Sequence, residues 1–291
     1  MPPAMRHSES VFLDIRGLRY HVRHWQGKGN KIFLLHGWMD VSASFQFLVD
    51  ALKGDWDVYA PDWRGYGLSQ WSGSDNYWFP DYIGDLDALL ERFQPAAPAV
   101  LIGHSLGANV AGLYAGIRPE RVARFVNLEG FGMPATRPEQ APKRYARWMD
   151  ELKHTPRWKP YASYAELAER LQKNNPRLPR DRADFLSRHW GRDAEGGGVV
   201  LRSDPAHKLI NATLYRLDEA SACWERVVAP VLWVDAAESE TIARMKLTPE
   251  ALAERRAVFK DLKYFTVKDA GHMLHHDRPD EVARLIEEFL V

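Results

Sequence analysis

The residues best placed for chemistry lie in Gly103-His104-Ser105-Leu106-Gly107, which follows the buried-looking run Ala99 to Ile102 and precedes an apolar helical run opening at Leu106. A serine at such a strand-to-helix junction reads as a nucleophile. The sharp turn needs flanking residues without side chains, and it leaves the hydroxyl at the sheet edge above a helix N-terminus that favours developing negative charge. The plainer reading is that Ser105 only caps the helix.

A neutral hydroxyl attacks poorly, so a histidine must take its proton, and a carboxylate must orient that histidine. His272, in Asp269-Ala270-Gly271-His272-Met273, follows the last strand-like run, Tyr264 to Val267, with Gly271 leaving room for the loop to reach the serine. His275 and His276 stand close by as competitors. In chain order the carboxylate falls between serine and histidine, and two places qualify. One is Asp235-Ala236-Ala237-Glu238, after Val231 to Val234; the other is Glu129, at the end of Phe125 to Leu128.

The elements that must hold these groups are legible as alternating patterns. Val11 to Trp25 reads as a hairpin about Arg16-Gly17. Short apolar runs then follow at Ile32 to Leu35, Val58 to Ala60, Val100 to Ile102 and Phe125 to Leu128, as in strands of a parallel sheet buried on both faces. Helical spacing separates them over Ser44 to Leu52, Asp81 to Phe93 and Leu106 to Ile117, which is the rhythm of βαβ units. From about Pro134 to Leu209 the rhythm breaks. This stretch predicts helices around Ala141 to Leu152, Tyr164 to Gln172 and Arg182 to Trp190, with a loose turn at Gly196-Gly197-Gly198. It carries 16 Lys and Arg against 10 Asp and Glu, so the rest of the chain is acidic by the same margin. Helices near Ala212 to Cys223, Pro249 to Asp261 and Asp280 to Leu290 then alternate with strands Val231 to Val234 and Tyr264 to Val267. The expected organisation is therefore a core from 1–133 and 210–291, with a helical lid inserted at 134–209.

Composition narrows the function classes. The 291 residues are 45% hydrophobic, enough for a sizeable core, and 39 basic residues balance 39 acidic ones. No global charge recruits nucleic acid or a membrane surface. The single cysteine, Cys223, excludes an internal disulfide framework and a multi-cysteine metal site, and it suits the cytoplasm. The first residues lack a secretory pattern and no apolar run approaches a bilayer span, so a soluble protein is expected.

Taken together, Asp62-Trp63-Arg64-Gly65-Tyr66-Gly67-Leu68-Ser69, His36-Gly37-Trp38 and the Ser105 and His272 motifs resemble the α/β-hydrolase superfamily over most of the chain outside the insertion. His36-Gly37-Trp38-Met39-Asp40 with Ser42-Ala43-Ser44-Phe45 is similar to its serine hydrolase-like branch. The resemblance implies a mostly parallel, doubly wound α/β sheet with an inserted helical lid. It places Ala237 where typical members carry the late aspartate, a departure. Some members, haloalkane dehalogenases among them, carry the acid after the sixth strand, and Glu129 occupies that place. The expected triad is thus Ser105, His272 and Glu129, with Asp235 and Glu238 as alternative acids. The oxyanion is expected to meet the backbone N–H of Leu106 and, by the resemblance, of Trp38.

The expected activity is hydrolysis of a small or medium carboxylic ester through an acyl-enzyme, without a cofactor. A serine nucleophile argues against the dehalogenase and epoxide hydrolase branches, which use aspartate. A thioesterase, an amide or carbon–carbon bond hydrolase, and a silent ligand-binding protein on the same fold are the alternatives. Asp62 to Ser69 reads as a structural turn with Arg64 tied to a neighbour. His36 reads as shaping its loop and His104 as a packed neighbour, neither with partners that suggest a metal. In the lid, Trp148, Trp158, Tyr161, Tyr164 and Trp190 line either an acyl pocket or the lid's own core.

Overall fold

A computed structural model describes residues 5–154 and 156–291. The chain opens with β1 (Glu9–Ile15) and β2 (Leu18–Trp25), an antiparallel hairpin whose two turn residues, Arg16 and Gly17, both have positive φ. That conformation matches the twist of a two-residue hairpin. There follow β3 (Lys31–Leu35), α1 (Gln46–Ala51), β4 (Asp57–Pro61), α2 (Phe79–Phe93), β5 (Ala99–His104), α3 (Leu106–Ile117) and β6 (Val122–Leu128). The next stretch holds α4 (Ala141–Leu152), α5 (Tyr164–Asn174), α6 (Arg180–Trp190) and a small hairpin, β7 (Gly191–Asp193) with β8 (Val199–Leu201). The chain closes with α7 (Leu217–Trp224), β9 (Val231–Ala236), α8 (Glu240–Met245), α9 (Pro249–Ala257), β10 (Leu262–Val267), α10 (Leu274–Asp277) and α11 (Pro279–Leu290).

Eight strands form one sheet in the order β1-β2-β4-β3-β5-β6-β9-β10, antiparallel at β1/β2 and β2/β4 and parallel from β4 to β10. This is the mostly parallel, doubly wound sheet of the α/β-hydrolase fold. The path explains where a site must form. From β3 the chain steps outward to β4, then returns past β3 to β5, so the loops leaving β3 and β5 diverge from adjacent carboxyl ends at a switch point. The β3 loop starts at His36 and the β5 turn is Ser105.

Strand alternation builds a core on each face. Phe33 and Leu35 point into one cluster with Leu101, Phe125 and Trp233, covered by α2, α3, α7 and α9. Ile32 and Leu34 point into the other with Ile102, Val126 and Leu232, covered by α1 and α11. Because both faces are buried, these strands read as continuous apolar runs. Between β6 and α7 a third cluster unites Leu167, Ala168, Leu171, Ala183 and Leu186 of α5 and α6 with Phe47 of α1, and Tyr161, Tyr164 and Trp190 pack against it. Those three aromatics therefore pack on the cluster that α5 and α6 share with Phe47. Trp158 instead donates its indole N–H to the Ser203 carbonyl at 2.6 Å.

Several elements differ from the sequence expectation, each for a local reason. The helix anticipated from Ala212 begins only at Leu217, because the Asn211 side chain accepts from the Thr213 N–H at 2.9 Å and holds a turn there. The turn at Gly196 to Gly198 is a tight hairpin end, with all three glycines at positive φ. The helix expected over Ser44 to Leu52 is split into a 3-10 turn, Ser42–Phe45, and α1, and α9 stops at Ala257. Helix α8 had no separate sequence signal.

Candidate active site

Ser105 links β5 to α3 with φ 51° and ψ −113°, a backbone conformation that few non-glycine residues adopt. The flanking glycines make it possible. A Cβ on Gly107 would overlap the Leu35 carbonyl, and one on Gly103 would overlap the backbone of Ala108. Ser105 occupies the N-cap position of α3, yet its side chain makes no capping hydrogen bond. Its Oγ lies instead 3.0 Å from His272 Nε2. The plain capping role is therefore not the one the side chain plays.

His272 sits in the loop between β10 and α10, held from three sides. Its carbonyl accepts from His104 Nε2 at 2.8 Å, its N–H meets Glu240 at 3.3 Å, and the preceding Gly271 N–H donates to Asp277 at 2.9 Å. Its Nδ1 lies 3.0 Å from Glu129 Oε2. The competitors do not reach the serine: His275 and His276 are buried against Ser44. Burial pushes His276 down to about 3 and His275 well below the usual imidazole range, so both rings are neutral.

Glu129 directly follows β6 with φ 58°, and its side chain reaches across the sheet edge to β9. Its Oε1 accepts the Ala236 N–H at 2.7 Å, and its Oε2 accepts the Ser239 hydroxyl as well as facing His272. The carboxylate is fully buried but satisfied at both oxygens. The two alternative acids lie elsewhere. Asp235 is still within β9 and faces Trp233 Nε1 at 2.6 Å and Arg256 at 3.2 Å, while burial, with Glu129 nearby, pushes it up to about 7. Glu238 pairs with Arg177 at the surface. Ser239 and the Ala236 N–H carried no sequence signal, since each is more than 100 residues from Glu129 along the chain.

Leu106 is the first residue of α3, so its N–H has no carbonyl partner within the helix. The β3 loop closes on the same spot. A Cβ on Gly37 would stand 3.2 Å from Ser105 Cβ, which places the Trp38 backbone beside the elbow. The Trp38 indole is 56% exposed and donates to the His207 carbonyl at 3.3 Å, tying this loop to the segment between β6 and α7. His36 shapes the loop: its Nε2 accepts from the Trp63 N–H at 2.9 Å, and burial pushes it down to about 4. Asp62 caps the neighbouring turn by accepting from Ser42 N, Leu68 N and His21 Nδ1, and Arg64 grips Asp85 through two contacts of 2.6 Å. One reading changes. His104 has partners the sequence did not reveal, because the β3 loop and α10 bring Asp40 and His275 beside it.

With Ser105, His272 and Glu129 in one hydrogen-bonded line, the arrangement can take a proton from a hydroxyl and hold the resulting imidazolium.

A family model described as "Alpha/beta hydrolase family" matches residues 32–285. A serine hydrolase-like protein of Danio rerio is 28% identical over 285 residues, covering 95% of this chain and 85% of that protein. The 2-(acetamidomethylene)succinate hydrolase of Mesorhizobium japonicum is 27% identical over 99% of this chain and 97% of its own length. Among solved structures, the thioesterase domain from the curacin biosynthetic pathway superposes with a TM-score of 0.87 at 22% identity, covering 97% of this chain and 99% of that one.

Proposed function

The chain belongs to the alpha/beta hydrolase family, and we propose that it is a serine hydrolase that cleaves a carboxylic ester of small or medium acyl size through an acyl-enzyme. The observation that carries this reading is the unbroken line from Ser105 Oγ to His272 Nε2, 3.0 Å, and from His272 Nδ1 to Glu129 Oε2, 3.0 Å.

In this mechanism His272 takes the Ser105 proton at Nε2 as Oγ attacks the acyl carbon. Glu129, accepting from Nδ1–H, fixes the tautomer and balances the imidazolium. The oxyanion is held by the N–H groups of Leu106 and Trp38. Collapse of the intermediate breaks the ester C–O bond, and His272 gives its proton to the leaving alcohol. Water, deprotonated by the same ring, then attacks the acyl carbon and releases the acid with Ser105 restored.

We assign residues 134–209 the role of a lid over the carboxyl edge of a core formed by 1–133 and 210–291. Contacts at the loops that carry the site support it. Arg182 donates to the His276 carbonyl at 2.6 Å, Asn175 to Asp277 at 2.7 Å, and Trp38 to His207. A roof stitched to the base loop excludes water from the acyl-enzyme until the alcohol has left.

The 27% identity to a hydrolase whose name gives an amide-bearing substrate favours one second reading, cleavage of an amide. A panel of short and long acyl esters, the matching thioesters and small acyl amides separates the two. The ester reading expects turnover of short and medium esters that disappears in Ser105→Ala. Turnover of amides without esters transfers the assignment to the second reading. No turnover of any member by folded protein contradicts both and leaves a ligand-binding protein on this fold.

A further inference from the structure

Behind the nucleophile lies a second group of side chains that the acyl-transfer reading does not use. Asp40 comes from the β3 loop, His104 from the residue before Ser105, and His275 from α10; all three are buried, and one ligand atom of each lies within 4.8 Å of the others. Each is anchored through its other polar atom. Asp40 Oδ1 accepts the Val41 N–H at 2.8 Å, His104 Nε2 donates to the His272 carbonyl at 2.8 Å, and His275 Nε2 stands 3.5 Å from Ser44 Oγ.

The remaining atoms lie outside hydrogen-bond geometry, with the Ser44 and Trp190 side chains flanking Asp40. Asp40 Oδ2, His104 Nδ1 and His275 Nδ1 have no hydrogen-bond partner among the described residues. Because His104 Nε2 donates to a carbonyl, its Nδ1 is a bare lone pair. A buried carboxylate oxygen and imidazole nitrogens left unpaired cost free energy unless something electropositive joins them. We propose that Asp40, His104 and His275 form a binding site for one divalent transition-metal ion of the zinc class, set behind the catalytic elbow.

The donor chemistry suits that ion. Two imidazoles and one carboxylate are a common zinc ligand set, with metal to ligand distances of about 2.0–2.2 Å. The His104 anchor is also of the expected kind, since ligating histidines usually donate their second N–H to a carbonyl or carboxylate, which fixes ring and tautomer. Burial keeps His104 and His275 neutral, the form in which an imidazole binds a metal. The ion would not touch the reacting atoms. Through the bond from His104 to the His272 carbonyl it would hold the loop that carries the base, so its role is one of positioning.

The test uses tag-free, chelator-washed full-length protein titrated with Co2+ and Zn2+. The proposal expects one ion per chain at micromolar affinity, visible cobalt absorption, a raised Tm with Zn2+, and at least tenfold weaker binding in Asp40→Asn and His275→Gln. Binding unchanged in Ser105→Ala is expected too, so the result stands independently of the hydrolase reading. Should a ligand variant fail to fold, wild-type proton NMR decides, because Co2+ must shift ring resonances of His104 and His275. No binding at micromolar metal, undiminished binding in both folded ligand variants, or shifts confined to other histidines each overturns the site.

Discussion

At the scale of single residues, the assignment depends on which carboxylate serves His272. Glu129 faces the ring at 3.0 Å, whereas Asp235 is engaged by Trp233 and Arg256 and Glu238 by Arg177. Glu129→Gln should therefore lower kcat on the order of 10³–10⁴-fold, while Asp235→Asn and Glu238→Gln remain within a few fold of wild type. Near-normal turnover by Glu129→Gln would overturn the assignment. Ser239→Ala removes one hydrogen bond to the carboxylate and should cost about tenfold or less. The serine and the histidine were legible in the sequence because their signals are contiguous: glycines around Ser105, and a glycine before His272. Chain order left Glu129 as one of two candidate places and only the family resemblance preferred it, since no local pattern marks an acid that faces its histidine from a neighbouring strand. Its anchors, Ser239 and the Ala236 N–H, arise from pairing of β6 with β9 and leave no trace in local spacing. The same holds for Asp40 and His275 beside His104.

At the scale of elements, the elbow is a steric device as much as a motif. Gly107→Ala places a methyl against the fixed Leu35 carbonyl, so it should cost about 1–3 kcal/mol and depress activity with it. Gly73→Ala is the useful contrast. That glycine has φ +70° with open space around it, so only backbone strain of about 1 kcal/mol is expected, with turnover unchanged. Chemical denaturation of both variants checks the order; equal losses would contradict the steric account. The central strands and α3 were readable because burial on both faces writes continuous apolar runs into the sequence. The start of α7 was not. Its upstream residues have helical spacing, but the Asn211 side chain competes for the backbone and wins locally. The β7–β8 hairpin is three residues a side, too short for alternation to register.

At the scale of the whole molecule, buried histidines set the response to acid. Burial pushes His36 and His189 down to about 4, His207 and His276 to about 3, and His104 and His275 well below the ordinary 6.5. Each binds its proton readily only after unfolding, so between pH 6.5 and 4 the unfolded chain holds more protons and stability falls as pH falls. Asp40 and Asp235, pushed up to about 7 by burial, act in the opposite sense over much of that window, but they are two against six. Thermal melts across this range should show Tm dropping steadily toward pH 4, and a flat profile would contradict the account. Among the described residues no helix is long and apolar enough to cross a membrane. The sheet path that brings β3 and β5 together also explains why one serine, rather than a dispersed surface, is the centre of the proposal. Intact-protein mass spectrometry after brief exposure to a fluorophosphonate tests that centre most directly. The account predicts a single added phosphonyl group on wild-type protein and none on folded Ser105→Ala. An unmodified wild-type chain, or an adduct that persists in Ser105→Ala, would contradict it.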